Sequence, residues 1–193
     1  MTDTPAPRRD LSSTRSNVPV CGVFLVGFMG AGKTSVGKAL AESLGWSFID
    51  LDHEVESREG ASVPEIFQQH GEQGFRQREQ QALGALVDQL SSSHPAIVAL
   101  GGGAFVQPEN AELLRSAGTI TVFLDTPVEE LWQRCCEPGE PERPLRTNPV
   151  GFRALHEKRR VHYIQADVRV ETAGKPIRQV AQEVIERLNL HCQ

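Results

Sequence analysis

One short segment of the chain restricts its possible folds more than any other. Residues 27–34 read GFMGAGKT, which fits the pattern GxxxxGK[ST], and they lie between an apolar run at 21–26 and a stretch of helical periodicity at 33–44. Glycines in this pattern let successive backbone amides and the start of the following helix face an anion. A plain glycine turn is the alternative, but a strand before the pattern and a helix after it form the context of a phosphate-binding loop. The segment therefore predicts nucleotide binding.

Short apolar strands and helical stretches alternate along the rest of the chain. Strands are predicted at 21–26, 46–49, 96–100, 119–124 and 168–170, and helices at 33–44, 72–90, 127–136 and 177–190. A capping box at Ser62–Glu65 predicts one further helix start. This alternation is typical of a parallel sheet with helices on both faces, so the sequence predicts an α/β fold with a five-stranded parallel sheet.

The length and charge of the chain exclude several classes of protein. A chain of 193 residues with 39% hydrophobic side chains is long enough for one domain with a buried core and short for several. The formal net charge of −5 argues against nucleic acid or an anionic membrane as the main partner. No run approaches the roughly 18 apolar residues that would span a bilayer. The six histidines show no metal-ligand spacing, so zinc is not expected.

The cysteines and the first residues indicate a cytoplasmic protein. The four cysteines include no CxxC spacing and one adjacent pair, Cys135 and Cys136, that an ordinary disulfide would hardly join. The pair Arg8 and Arg9 is followed by a polar run and not by the apolar segment of an export signal. We therefore expect a disordered tail at 1–18 and a single domain at 19–193.

Two aspartates, Asp50 and Asp52, follow the second predicted strand. If the chain stays extended there, alternation places both side chains on one side, at the sheet edge where open α/β folds bind ligands. One carboxylate would then lie near a nucleotide-bound metal ion, and the other would accept a proton from an attacking hydroxyl. The alternative is that Asp52 only caps a helix that begins at His53.

Three glycines at 101–103 follow the third predicted strand. They allow the backbone to approach a ligand closely with its amides as donors, although glycine triplets also occur in plain turns. Earlier in the chain, Arg76 could make a two-pronged contact with a carboxylate. Glu79 lies on the same helical face and is predicted to pair with Arg76 and fix its orientation.

A proline-rich segment at 137–149 has the length of a lid loop and cannot form a helix interior or a central strand. Seven basic residues lie within 134–160, in a chain that is acidic overall. An arginine in a lid can neutralise the charge that develops on a transferring phosphoryl group. For any single arginine of this stretch, a solvated surface position is the alternative.

Together these segments resemble the shikimate kinase family over the whole chain after the tail. The matching segments, in the family's order and spacing, are GFMGAGKT at 27–34, DLD at 50–52, GEQGFRQRE at 71–79, LGGG at 100–103, RPL at 143–145 and KRRVHY at 158–163. The resemblance implies a P-loop three-layer fold of the nucleoside-monophosphate-kinase type with a mobile lid. It also implies transfer of the γ-phosphoryl group of ATP to the 3-hydroxyl of shikimate, with Mg²⁺, in aromatic amino-acid biosynthesis.

The resemblance also implies roles for individual residues. The implied nucleotide contacts are Gly30, Ala31, Gly32, Lys33, Thr34 and Ser35 around the phosphates, Arg134 on adenine and Arg143 in the lid. The implied metal residues are Thr34, and Asp50 acting through water. The implied substrate contacts are Asp52 at the ring hydroxyls, Arg76 and Arg159 at the carboxylate, and the amides of Gly101, Gly102 and Gly103. The implied catalytic residues are Lys33, Asp52, which orients or deprotonates the nucleophile, and Arg143.

The expected protein is a monomer that binds shikimate and ATP and neither nucleic acid nor membrane. Two rival functions remain open at this stage. One is a kinase for another polyol acid such as gluconate, where the paired arginines and the glycine triplet are less expected. The other is a non-catalytic module that binds an aromatic acid, which loss of Lys33, Asp52 or Arg143 would have favoured; all three are present.

Overall fold

The computed structural model describes residues 20–91, 93–136 and 148–190. The predicted tail at 1–18 and most of the predicted lid, including Arg143, lie outside the described residues. The last two residues of the predicted lid form the start of a helix instead: the side chain of Asn148, the N-cap, accepts a hydrogen bond from the Gly151 amide, and Pro149 occupies the first helical position.

Five strands form one parallel sheet in the order β2-β3-β1-β4-β5. The strands are β1 (Gly22–Val26), β2 (Ser47–Asp50), β3 (Ala96–Ala99), β4 (Ile120–Asp125) and β5 (Val168–Glu171). Every residue of β1, β3 and β4 is buried. Because successive side chains point to opposite faces of a sheet, both faces of these central strands are covered. The predicted α/β fold with a five-stranded parallel sheet is confirmed.

Seven helices and one short 3-10 helix at Ala104–Val106 surround this sheet in the described part of the chain. They are α1 (Lys33–Leu44), α2 (Leu51–Glu59), α3 (Val63–Gln89), α4 (Pro108–Ser116), α5 (Val128–Cys135), α6 (Pro149–Tyr163) and α7 (Ile177–Leu188). Helix α1 packs against α7, while α3 packs against α2 and α4. None of the described helices combines the length and the apolar character that crossing a bilayer requires.

Helix α3 joins two elements that the sequence predicts separately. Its start is the predicted capping box, in which the Ser62 amide and hydroxyl both donate to a Glu65 carboxylate oxygen, at 2.7 and 2.6 Å. The backbone is non-helical at Gly71, where the helix kinks, and the predicted 72–90 helix follows. The capping box and the later helix are therefore confirmed.

The extended conformation predicted for residues 50–52 is wrong. Asp50 ends β2 and is the N-cap of α2, where its Oδ1 accepts a hydrogen bond from the Asp52 amide at 3.2 Å. This side-chain cap satisfies a free amide and turns the backbone into a helix directly after the strand. Asp52 therefore lies in the first turn of α2, and the alternative that it caps a helix beginning at His53 is wrong as well.

Candidate active site

The phosphate-binding loop connects β1 to α1 at the carboxyl edge of the sheet, where ligands of open α/β folds bind. Gly30 and Gly32 adopt φ values of 78° and 84°, a left-handed conformation that is costly for other residues. The Lys33 ammonium donates to the carbonyls of Gly27 and Phe28 at 2.9 and 3.0 Å. The loop thus curls around its own lysine, with the N-terminus of α1 facing the same space.

A cavity of about 910 Å³ lies over this loop. Its walls come from the phosphate-binding loop, the start of α2, the glycine turn, α5 and the segment after β5. The lining residues are Gly30–Val36, Asp50, Asp52, His53, Glu56, Leu100, Gly101, Gly102, Arg134, Thr172, Lys175, Pro176, Ile177 and Val180. One cavity therefore joins the predicted phosphate contacts to the predicted nucleophile-orienting carboxylate.

Asp50 connects the phosphate-binding loop to α2 through its two carboxylate oxygens. Oδ2 accepts a hydrogen bond from the Thr34 hydroxyl at 2.9 Å, while Oδ1 caps α2. A hydroxyl and a carboxylate side by side in a phosphate-binding cavity are hard oxygen donors of the kind that Mg²⁺ prefers. The residues present fit a magnesium ion bound to nucleotide phosphates.

Arg134 approaches the same cavity from the last turn of α5. Its guanidinium donates to the Gly30 carbonyl at 3.3 Å and to a Glu130 carboxylate oxygen at 3.1 Å. The α5 side chain that packs closest to Gly30 is Cys135, whose sulfur would lie 2.9 Å from a Cβ at that position. The end of α5 is therefore fitted closely against the phosphate-binding loop.

The two predicted substrate arginines converge on the glycine turn at 101–103, although they come from different helices. Arg159 of α6 donates from Nη1 to the Gly102 carbonyl at 3.2 Å. The guanidinium of Arg76 lies so close to Gly103 that a Cβ there would be 2.7 Å from its Cζ. Neither arginine lines the cavity itself; each borders the turn that does. The missing side chain at Gly103 is what allows the Arg76 guanidinium to approach the turn, whereas a Cβ at Gly102 would lie 3.7 Å from Arg159 Nη1, an ordinary contact distance.

Glu79 is a fully buried carboxylate beside these arginines. It accepts a hydrogen bond from Arg76 Nη1 at 2.7 Å, as the sequence predicts. Burial raises the pKa of Glu79 to about 7, although the charge of Arg76 opposes the shift, and the nearby Asp52 carboxylate adds to it. A Cβ at Gly101 would lie 2.6 Å from Asp52 Oδ1 and 2.9 Å from Glu79 Oε1. Because residue 101 has no side chain, a carboxylate oxygen of Asp52 and one of Glu79 can both lie close to its backbone.

Tyr163, in the last turn of α6, also contacts the glycine turn. Its hydroxyl donates to the Gly102 carbonyl, which also accepts from Arg159. Burial raises the pKa of Tyr163 to about 12, while the charge of Arg159 works in the opposite direction. Tyr163 therefore stays a neutral donor that holds the glycine turn against α6.

Some of these contributions were not predicted from the sequence. Tyr163 belongs to the KRRVHY segment, but no local pattern marks it as a partner of the glycine turn. Residues 172–177 follow β5 at the carboxyl edge of the sheet, and that position was a usable signal for their place in the cavity. Arg143, the predicted lid arginine, lies outside the described residues.

Comparison with known proteins indicates the same family as the sequence motifs. The sequence model of the family "Shikimate kinase" matches residues 29–189. A shikimate kinase of Persephonella marina is 40% identical over 167 residues, which are 86% of this chain and 98% of that protein. A shikimate kinase of Synechococcus elongatus is 43% identical over 151 residues, covering 77% of this chain and 75% of that one.

The fold of a solved relative agrees as well. The structure of a shikimate kinase from Acinetobacter baumannii in complex with shikimate superposes with a TM-score of 0.78 at 40% sequence identity. The match covers 88% of this chain and 93% of that one. With the family model spanning most of the chain and relatives of this identity matched over 75% or more of their length, the chain belongs to the shikimate kinase family of ATP-dependent kinases.

Proposed function

We propose that this protein transfers the γ-phosphoryl group of ATP to the 3-hydroxyl of shikimate, giving shikimate 3-phosphate and ADP. The observation that carries the proposal is that a single cavity contains both the phosphate-binding loop and Asp52, next to a glycine turn bordered by Arg76 and Arg159. A phosphoryl donor and a carboxylate-bearing acceptor can therefore lie side by side.

The phosphate-binding loop holds the donor. Amides of Gly30 to Ser35 and the N-terminus of α1 bind the phosphates, and Lys33 exchanges its carbonyl partners for phosphate oxygens. Arg134 holds the nucleotide from the α5 side of the cavity, where we place adenine. Arg143 is proposed as the lid arginine that reaches the transferring group.

Thr34 and Asp50 would hold Mg²⁺, Thr34 directly and Asp50 through a bound water. When bound, the ion neutralises phosphate charge and orients the transferring group. The Thr34 hydroxyl and Asp50 Oδ2 are already oriented toward one another at 2.9 Å. Since Asp50 also caps α2, the metal residues and Asp52 are held in one rigid arrangement.

The acceptor side binds a small acid that carries hydroxyl groups. Arg76 and Arg159 bind its carboxylate, because planar guanidinium groups match a carboxylate with two parallel hydrogen bonds. Amides of Gly101 to Gly103 contribute further donors at the turn. Asp52, two residues after the metal-side Asp50, receives the hydroxyl that attacks.

The transfer itself breaks one bond and forms one. The 3-hydroxyl oxygen attacks the γ-phosphorus, the bond from that phosphorus to the β,γ-bridging oxygen breaks, and its electron pair stays with ADP. Asp52 accepts the hydroxyl proton, while Lys33 and Arg143 neutralise charge on the phosphoryl oxygens. Because the transition state is loose, positioning and charge neutralisation contribute most of the acceleration.

ADP release with Mg·ATP and a panel of shikimate, quinate and gluconate tests this proposal directly. We expect turnover with shikimate far above the background hydrolysis of ATP. Preferred turnover of gluconate would establish the rival polyol-acid kinase. Binding of shikimate without turnover would establish the non-catalytic module, and either result would overturn the proposed function.

A further inference from the structure

Two adjacent arginines on α6 connect the helix to different strands of the sheet. Arg159 Nη1 donates to the Gly102 carbonyl, just after β3, at 3.2 Å. Arg160 Nη2 donates to Asp125 Oδ2, at the end of β4, at 2.7 Å. Since β1 lies between β3 and β4, helix α6 crosses the carboxyl ends of three neighbouring strands. The two contacts lie on opposite sides of the phosphate-binding loop that follows β1.

Asp125, the partner of Arg160, is itself held in place by several hydrogen bonds. Its side chain is 9% exposed, and the same oxygen, Oδ2, accepts a second hydrogen bond from Arg169 Nε at 2.6 Å. The Asp125 carbonyl accepts from the Thr172 amide at 3.0 Å. A carboxylate that is nearly buried is costly unless it is paired, so these partners hold it in place.

Besides the hydrogen bond from the Tyr163 hydroxyl to the Gly102 carbonyl, α6 makes ring contacts that are less directional. Phe152 and His156 pack edge-on against Phe28 of the phosphate-binding loop, with ring centroids 5.0 and 5.3 Å apart. On the β4 side, Tyr163 packs against Phe123 with a centroid distance of 5.4 Å. Ring packing resists separation of the helix but tolerates small rotations, whereas a charge-assisted hydrogen bond defines a direction.

We propose that Arg160 is a positioning residue for acceptor binding: its ion pair with Asp125 sets the rotation of α6 about its axis and thereby the direction of the Arg159 guanidinium. This inference rests on the proposed function, in which Arg159 binds the acceptor carboxylate. Without Arg160, the directional contacts that the described residues keep between α6 and the strand ends, from Arg159 and Tyr163, both reach the Gly102 carbonyl on the β3 side. The guanidinium is then less well directed at the acceptor.

The experiment compares three variants of the full chain: R160M, R160K and R153M. Methionine keeps the apolar stem of arginine but removes its charged guanidinium. Arg169 still pairs with Asp125 in R160M, so no buried charge loses every partner. Arg153 is the matched control on the same helix, because its ion pair with Glu129 has both side chains more than half exposed. KM for shikimate, KM for ATP, kcat and Tm are measured for each variant.

In R160M we expect KM for shikimate to rise about tenfold, as for the loss of one hydrogen bond to a charged group. KM for ATP and kcat should change by less than about twofold, because the acceptor carboxylate is bound equally in the ground state and the transition state. R160K should recover part of the affinity, and R153M should resemble the wild type.

Two other results would overturn the inference. One is a KM for shikimate in R160M equal to that of R153M. The other is a parallel decline of kcat, both KM values and Tm, which would make Arg160 a general stabilising residue. A wild-type protein without shikimate turnover would instead contradict the proposed function itself, and this inference with it, so the two failures are distinguishable.

Discussion

Arg76 donates a hydrogen bond at 2.7 Å to a Glu79 carboxylate that is fully buried. The second oxygen of that carboxylate, Oε1, has no hydrogen-bond partner among the described residues. One ion pair therefore has to offset most of the cost of burying the charge, and burial still raises the pKa of Glu79 to about 7. The protonation of Glu79 is thus linked to the stability of the fold.

The stability of the protein should fall as pH rises through this range. Below the unfolded pKa of about 4.5, both states hold the proton and the contribution of Glu79 is fully present. Between 4.5 and 7 the folded state keeps a proton that the unfolded state has released, so stability decreases with pH. Above the folded pKa the slope disappears.

Urea unfolding of the wild type and of Glu79→Gln from pH 5 to pH 8 measures this contribution. Up to pH 7, the unfolding equilibrium constant of the wild type should increase relative to that of the variant by at most about tenfold per pH unit. Glu72→Gln is the control, because Glu72 contacts the same arginine at 3.4 Å but its side chain is 62% exposed. Parallel curves for the wild type and Glu79→Gln would contradict the prediction.

Substitution of Asp52 by asparagine should separate catalysis from nucleotide binding. The change keeps the shape of the side chain but removes the proton acceptor, so we expect kcat to fall by about 100-fold or more. The dissociation constant for ATP should remain nearly unchanged, because the phosphates are held by the loop that follows β1. An equal loss in kcat and in ATP affinity would make Asp52 structural. Asp88→Asn, at an exposed position of α3, is the control for the loss of one charge.

The predicted strands and α1 are local features, and the sequence contains enough information to place them. An apolar run followed by closely spaced glycines defines β1, the phosphate-binding loop and the start of α1, whose bounds at 33–44 agree with the structure. The helix after Asp50 was predicted only as an alternative, with a start at His53 and not at Leu51, because a side-chain cap, and not hydrophobic periodicity, determines where it begins.

Apart from the locally predicted pair of Arg76 and Glu79, the acceptor side depends on contacts that no local pattern reveals. Arg160 and Asp125 are 35 residues apart, and Tyr163 and Gly102 are 61 apart. Helix α6 itself was not predicted, since its buried positions include His156 and Arg159 beside Phe152 and Tyr163, so polar residues obscure the apolar stripe. Charge pairs of this kind become visible only when the sheet brings its strands together.

A methyl group at Gly103 should weaken acceptor binding without affecting the nucleotide. Gly103 has φ −110°, which alanine adopts without strain, so the effect comes from the new Cβ, 2.7 Å from Arg76 Cζ and Nη1. The guanidinium has to move, and we expect KM for shikimate to rise several-fold while KM for ATP stays constant. Gly84→Ala is the matched control, since a Cβ there meets nothing within 4 Å. Equal KM values in both variants would contradict the proposed contact.

Gly30 and Gly60 provide a matched pair for testing how closely α5 fits the phosphate-binding loop. Both glycines have left-handed backbones, with φ values of 78° and 65°. Alanine at either position costs about 1–2 kcal/mol of backbone strain. At Gly60 the new Cβ meets nothing within 4 Å, whereas at Gly30 it would lie 2.9 Å from Cys135 Sγ and 3.1 Å from the Leu131 carbonyl oxygen.

Gly60→Ala should therefore lower Tm by a few degrees and leave the ATP dissociation constant unchanged. Gly30→Ala should also weaken ATP binding, by about tenfold or more, because the loop must shift away from α5. Calorimetric titration with Mg·ATP and thermal unfolding measure both effects. Adding Cys135→Ala to Gly30→Ala removes the sulfur and should restore part of the affinity. If Gly30→Ala and Gly60→Ala bind ATP equally well, the close fit of α5 plays no part in shaping the nucleotide site.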